Sequence, residues 1–143
     1  MHSSCQQAPD RARDHQFIAM LDAYRSSGGL ARAQEILAMF KRCGGPGVSA
    51  LARWVVSQEL ICFEWQAQTW LPVFQFNRRD LTPDLRLRPV FAELTQIYDS
   101  WEVATWFSLP NPWLAQRAPV DTLRRDHDAV LEAARAERFA LSG

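Results

Sequence analysis

Two runs of β-branched and aromatic residues interrupt a chain that otherwise carries its apolar side chains at helical spacing. This switch of period limits the possible folds more than any other feature. Leu60-Ile61-Cys62-Phe63-Glu64-Trp65 and Trp70-Leu71-Pro72-Val73-Phe74-Gln75-Phe76 flank a short polar stretch, Gln66-Ala67-Gln68-Thr69. That is the pattern of a β-hairpin. No Asn-Gly marks the turn, so its type stays open. Pro72 has no N–H to give to a ladder and is expected to face an edge. The expected fold is therefore mainly α with one β-hairpin.

The helical stripes divide the chain. Residues 1–14 are polar and are read as a flexible lead-in. Residues 15–77 form a helix-turn-helix-like half that includes the hairpin. In it, Phe17, Leu21 and Tyr24 share one stripe, which ends near Ser26-Ser27-Gly28-Gly29. Leu30, Ala33, Leu37 and Phe40 form a second stripe, which stops at Cys43-Gly44-Gly45-Pro46-Gly47. Ser49 is placed to cap a third helix that turns Leu51, Ala52, Val55 and Val56 inward. Residues 78–143 form a second, small helical half. After a polar connection, Val90, Phe91, Leu94, Ile97 and Tyr98 restore the helical period. Asp99 and Glu102 have capping-box spacing ahead of Trp101, Val103, Trp106 and Phe107. Two prolines in Leu109-Pro110-Asn111-Pro112 end that helix. Pro119 suits a first helical turn, and Asp126 a cap for a last helix reaching about Phe139.

Composition narrows the chemistry. Sixteen basic and sixteen acidic residues give zero net charge, which argues against a non-specific polyanion binder while leaving room for a local basic face. No apolar run approaches the roughly 18 residues of a membrane span, and no secretory leader is visible, so no membrane partner is expected. Three cysteines, Cys5, Cys43 and Cys62, cannot all pair internally, which suggests a reduced, cytoplasmic protein. His2, His15 and His127 are scattered, and His127 reads as a solvated first-turn residue. Gly44-Gly45-Pro46-Gly47 lacks the Lys-Ser/Thr of a phosphate-cradling loop. Cys62 reads as a core filler. No catalytic residue, metal ligand or cofactor motif stands out, and the chain is not read as an enzyme.

Nucleic-acid binding has more support. Two helices joined by a glycine-containing turn, with another before them, fit a helix-turn-helix. Between residues 25 and 58, Arg25, Arg32, Lys41, Arg42 and Arg53 face a single acid, Glu35. Ser49, Arg53 and Ser57 share one helix face, with Gln58 beside it. Arg32, Lys41, Arg42, Ser49, Arg53 and Gln58 are the candidate operator-DNA contacts, Arg53 as a base reader or phosphate ligand. The same residues equally suit a solvated helix face. Phe63, Trp65, Trp70, Phe74 and Phe76 are too apolar for a DNA-facing wing and are assigned to the core or to a homodimer seam.

Six tryptophans are many for 143 residues. Trp113 stands apart in a proline-rich loop, where it suits either an interface anchor or a plug over a small core. The segment Trp106-Phe107-Ser108-Leu109-Pro110-Asn111-Pro112-Trp113-Leu114, followed by Arg117-Ala118-Pro119-Val120-Asp121-Thr122-Leu123, resembles the toxin-binding domain of the MbcA/ParS/Xre antitoxins. That domain carries W-[LF]-x-x-P-N-x-x-L and then R-x-P-x-D-x-L. Pro72-Val73-Phe74-Gln75-Phe76 is similar to the family's upstream P-x-F-Q-F strand. The likeness runs from about Trp70 to Phe139, and Trp113 stands where the family has a small residue.

The resemblance implies a dimeric, antitoxin-like DNA-binding regulator whose C-terminal half covers a RES-domain toxin that consumes NAD. Asn111, Trp113, Leu114 and Arg117, with Arg135, Arg138 and Phe139 of the last helix, are the toxin-binding candidates. Guanidinium groups suit a cleft that holds a phosphate-bearing cofactor. Alternatively, Arg135 and Arg138 pair locally with Glu132 and Glu137, and Phe139 closes the core. Two other functions fit the same residues: a stand-alone transcriptional regulator, and a protein-interaction module without DNA binding.

Overall fold

Local signals position most of the helices. The computed structural model describes residues 3–142, and its elements are α1 (Ser3–Ala23), β1 (Leu30–Arg32), α2 (Ala33–Arg42), α3 (Val48–Val56), β2 (Phe63–Trp65), β3 (Gln68–Pro72), α4 (Arg88–Leu94), α5 (Ser100–Ser108), α6 (Pro119–Thr122) and α7 (His127–Ser142). The chain is mainly α, as its periodicity implies. At α5, Asp99 Oδ1 accepts the Glu102 N–H at 2.8 Å and Glu102 Oε1 accepts the Asp99 N–H at 2.9 Å, a reciprocal capping box. Pro119 opens α6. Asp126 Oδ1 accepts the Ala129 N–H at 3.0 Å at the start of α7.

Three local expectations are corrected. Gly47, in extended backbone, is the N-cap of α3, so Ser49 lies inside the first turn and makes no cap bond. Leu30 does not belong to α2: Leu30–Arg32 is a strand, and the helix begins only where the Arg32 N–H donates to Glu35 Oε1 at 2.7 Å. Pro72 sits in the central strand, because the sheet has three antiparallel strands in the order β1-β3-β2.

The sheet is a middle layer. Register pairs Ala31 with Leu71, Arg32 with Trp70, and Phe63 with Trp70. Side chains alternate across a strand, so Leu30, Phe63, Trp65 and Trp70 face one core while Ala31, Cys62 and Leu71 face another. The first core joins α1 to α4–α7 through Phe17, Tyr24, Phe91, Trp101, Phe107 and Val130. The second packs α2 and α3 through Ile36, Phe40, Leu51 and Phe76. These cores do not part at residue 77, because α1 and one face of the hairpin pack with the C-terminal helices.

Pro72 is accommodated by a side chain. The Val73 N–H donates to Gly29 O at 3.0 Å, so the ladder's alternation turns position 72 toward Ile61, where proline has nothing to donate. Gln75, 0% exposed, fills the gap: its Nε2 donates to Ile61 O and its Oε1 accepts the Ile61 N–H, both at 2.8 Å. To reach there, Val73–Gln75 forms a 3-10 turn where a strand was expected. The hairpin closes through Gln66 and Ala67 at φ 50° and 61°, the left-handed pair of a type I′ turn made without glycine.

The described part of the expected lead-in from Ser3 onward is helical, while residues 1–2 lie outside the described residues. Within α1, Asp14 Oδ1 accepts the Trp65 Nε1–H at 2.8 Å and Gln16 Oε1 accepts the Trp101 Nε1–H at 2.6 Å. The Arg13 guanidinium lies 4.6 Å from the Trp101 ring centroid. Polar residues thus tie Arg13 and Asp14, the end of the expected lead-in, to the fold, a signal that counting apolar positions misses. The same packing gives the hairpin aromatics a place in the core, one of the two assignments expected for them. Phe17 stacks on Trp65 at 3.9 Å, and Phe63 meets Trp101 edge to face at 5.1 Å, so the hairpin aromatics are covered by their own chain. No described helix is long and apolar enough to cross a membrane.

Replacing Gln75 with leucine leaves both backbone polar groups of Ile61 unpaired and is expected to cost about 3 kcal/mol. Gln75→Glu is also destabilising, because a carboxylate accepts but cannot donate. Urea unfolding midpoints measure both.

Candidate functional site

The proline-rich segment after α5 is built to hold one indole outward. Asn111, only 5% exposed, accepts the Trp113 N–H on its Oδ1 at 2.9 Å. Its backbone N–H donates to Arg117 O at 3.1 Å, while its carbonyl accepts from Leu114 and Gln116, each at 2.9 Å. Ala115 and Gln116 close this small loop at φ 55° and 66°, a strained left-handed pair. Leu114 drops into the main core, and Trp113 stays 69% exposed. Trp113 is therefore no core plug. Asn111 and Leu114 frame the loop, and Arg117 is exposed beside it.

Behind the loop lies a groove of about 310 Å³, lined by Trp101, Trp106, Leu109, Pro112, Tyr98 and Glu137 among others. Pro112 and Glu137 share it, so the loop and the C-terminal part of α7 lie side by side. Leu109 is half exposed at its wall, and Phe139, on α7, is 81% exposed. Phe139 therefore does not close the core. The groove was not foreseen from the sequence, because Trp101 and Trp106 meet the loop only through the return of the chain after Pro110.

Arg135 and Arg138 take a different position from the one their spacing suggests. Both turn toward Glu93 of α4: Arg138 Nε donates to Glu93 Oε1, and Arg135 Nε lies 3.8 Å from Glu93 Oε2. Arg135 also holds Glu132 at 2.7 Å. Glu137 is not their partner; it accepts from the Tyr98 hydroxyl. These arginines clamp α7 onto α4.

The other candidate face is α3 with its approach from α2. Lys41, Arg42, Ser49, Arg53 and Gln58 are all exposed, and Lys41, Arg42 and Arg53 make no ion pair among the described residues. Arg32 is half-buried and held 3.5 Å from Glu35, so it is the candidate least able to reach DNA. Gln58 follows the helix in left-handed backbone at φ 62°. Val48 and Val56 are exposed on the same helix.

At the groove, burial and then the hydrogen bond to Glu137 raise the pKa of the Tyr98 hydroxyl, and other perturbed titrations lie elsewhere. Burial pushes the Tyr24 hydroxyl well up while it donates to Ala104 O at 2.5 Å. Burial, then Glu64, pushes the Cys62 thiol up, away from the reactive thiolate. His127 is not the solvated residue expected. It is half-buried, and burial, then the nearby Arg86, lowers its pKa. A histidine with a lowered folded pKa binds its proton more readily when unfolded, so stability is expected to fall as pH drops through about 6.5. Melting temperatures should decline less between neutral pH and mild acid in His127→Gln than in the parent.

Comparison with family models, curated proteins and solved structures returns no match, so the function rests on the chain's own residues.

Proposed function

We propose that the chain is an antitoxin-like DNA-binding regulator that neutralises a RES-type, NAD-consuming toxin through its C-terminal half. One observation carries the partner half of this reading: Leu109 stays half exposed in the groove wall, and Trp113 on the loop and Phe139 on α7 stay exposed outside its lining. Large apolar groups left out of a well-filled core favour a protein partner, and tryptophan is a frequent binding anchor. The loop frame of Asn111 and Leu114 gives Trp113 a set direction, and Arg117 adds a donor nearby. In this reading Arg135 and Arg138 shape the face through Glu93 as well as offering donors to the toxin.

The DNA half rests on Lys41, Arg42 and Arg53, exposed and without an ion pair among the described residues of a chain of zero net charge. Ser49 and Gln58 lie alongside and supply neutral donors. A palindromic operator calls for two copies of α3, so the reading includes a homodimer formed by surfaces other than the hairpin. The protein is placed in the cytoplasm with its operator.

The exposed Val48 and Val56 favour a second reading, a protein-interaction module whose α3 meets protein. Two measurements separate the two. Trp113→Ala and Phe139→Ala are expected to abolish protection of cells carrying the adjacent toxin gene, with unfolding free energy changed by less than about 0.5 kcal/mol, since both sites are exposed. Arg53→Ala should weaken binding to the upstream duplex by about 1–3 kcal/mol in a gel shift at low salt. No complex with the parent protein rejects the DNA half. Full protection by both aromatic variants rejects the toxin half.

A further inference from the structure

A polar cavity of about 230 Å³ lies between the turn after β3 and the start of α7, away from both faces described above. Arg78, Arg86, Arg124 and His127 line it, with Asp84 as the one carboxylate. Three arginines therefore face one aspartate in its wall, in a chain of zero net charge. Cations gathered this closely repel one another, and a bound anion relieves them.

The existing bonds show which donors are free. Arg86 commits Nε and one terminal nitrogen to Asp84, at 3.2 and 3.0 Å. The Asn77 amide donates to Thr82 and Pro83, and the Ser27 hydroxyl donates to Tyr24 O. Arg78 and Arg124 make no ion pair among the described residues. His127 Nε2 is buried with no hydrogen-bond partner. What remains is two guanidinium forks beside the His127 ring, a set matched to the several oxygens of a tetrahedral phosphate. The cavity is smaller than the roughly 300–1,000 Å³ of drug-sized ligand sites, and its concave wall suits a compact anion over a duplex backbone.

We infer that this cavity binds a phosphate group, free or carried by a small molecule, through Arg78 and Arg124 with His127 in its wall. The inference is independent of the DNA and toxin readings.

Calorimetric titration of the full chain at low salt, in a phosphate-free buffer, with inorganic phosphate and with adenosine monophosphate, tests it. Saturable binding of at least one probe is expected. Arg78→Ala and Arg124→Ala should each weaken it roughly tenfold or more, and Arg11→Ala should leave it unchanged. Both arginines are exposed, so circular dichroism of the variants should match the parent. The His127 ring resonances should shift on addition of the same probe. Response to phosphate alone identifies the free anion as the source; preference for the nucleotide identifies a phosphorylated organic molecule. No saturable binding of either probe overturns the inference, as does binding that survives Arg78→Ala and Arg124→Ala. Variants that lose only duplex-DNA binding overturn it too, because the arginines then serve the nucleic acid.

Discussion

The fold depends on one side-chain amide. Gln75 takes both backbone polar groups of Ile61 at the point where Pro72 ends the central strand. Ile61 packs in the core shared by α1 and the C-terminal helices, and its neighbour Leu60 packs in the core under α2 and α3. Phe74 and Phe76, on either side of Gln75, divide in the same way. The clasp therefore holds the seam between two apolar clusters, where a bare peptide unit could reach neither water nor a strand. An unpaired buried amide costs more than an ordinary hydrogen bond contributes, which explains a glutamine in so apolar a run.

Legibility in the sequence followed the range of the interactions. Caps are local, so Asp99 with Glu102, Pro119 and Asp126 could be read from spacing alone. β1 could not. Leu30 has helical spacing to Ala33 and Leu37, and three residues become a strand only because β3 lies alongside them. Gln66 and Ala67 lack the usual signature of their turn, so its geometry appears only once register forces two residues to close the hairpin. The docking of the middle of α1 was hidden for a related reason: Asp14 and Gln16 anchor through oxygen atoms to indoles 51 and 85 residues away.

The candidate site divides along the same line. Asn111 and Trp113 were legible because a proline-rich loop with one large aromatic is unusual in itself. The destination of Arg138 was not, since Glu93 lies 45 residues earlier on another helix. Local pairing of Arg135 with Glu132 was legible and is present. The arginine-lined cavity drew no attention because its members sit in separate, individually unremarkable stretches. Only the packing of the turn after β3 against α6 and α7 brings Arg78 and Arg124 to one wall.

The loop that carries Trp113 has one further consequence. Four hydrogen bonds centred on Asn111, with two left-handed residues behind them, leave the segment little freedom to wander. Its entropy is surrendered when the chain folds, before any encounter. An indole presented on such a preorganised turn meets its pocket without a further ordering cost. Recognition built this way gains chiefly in the lifetime of the bound state.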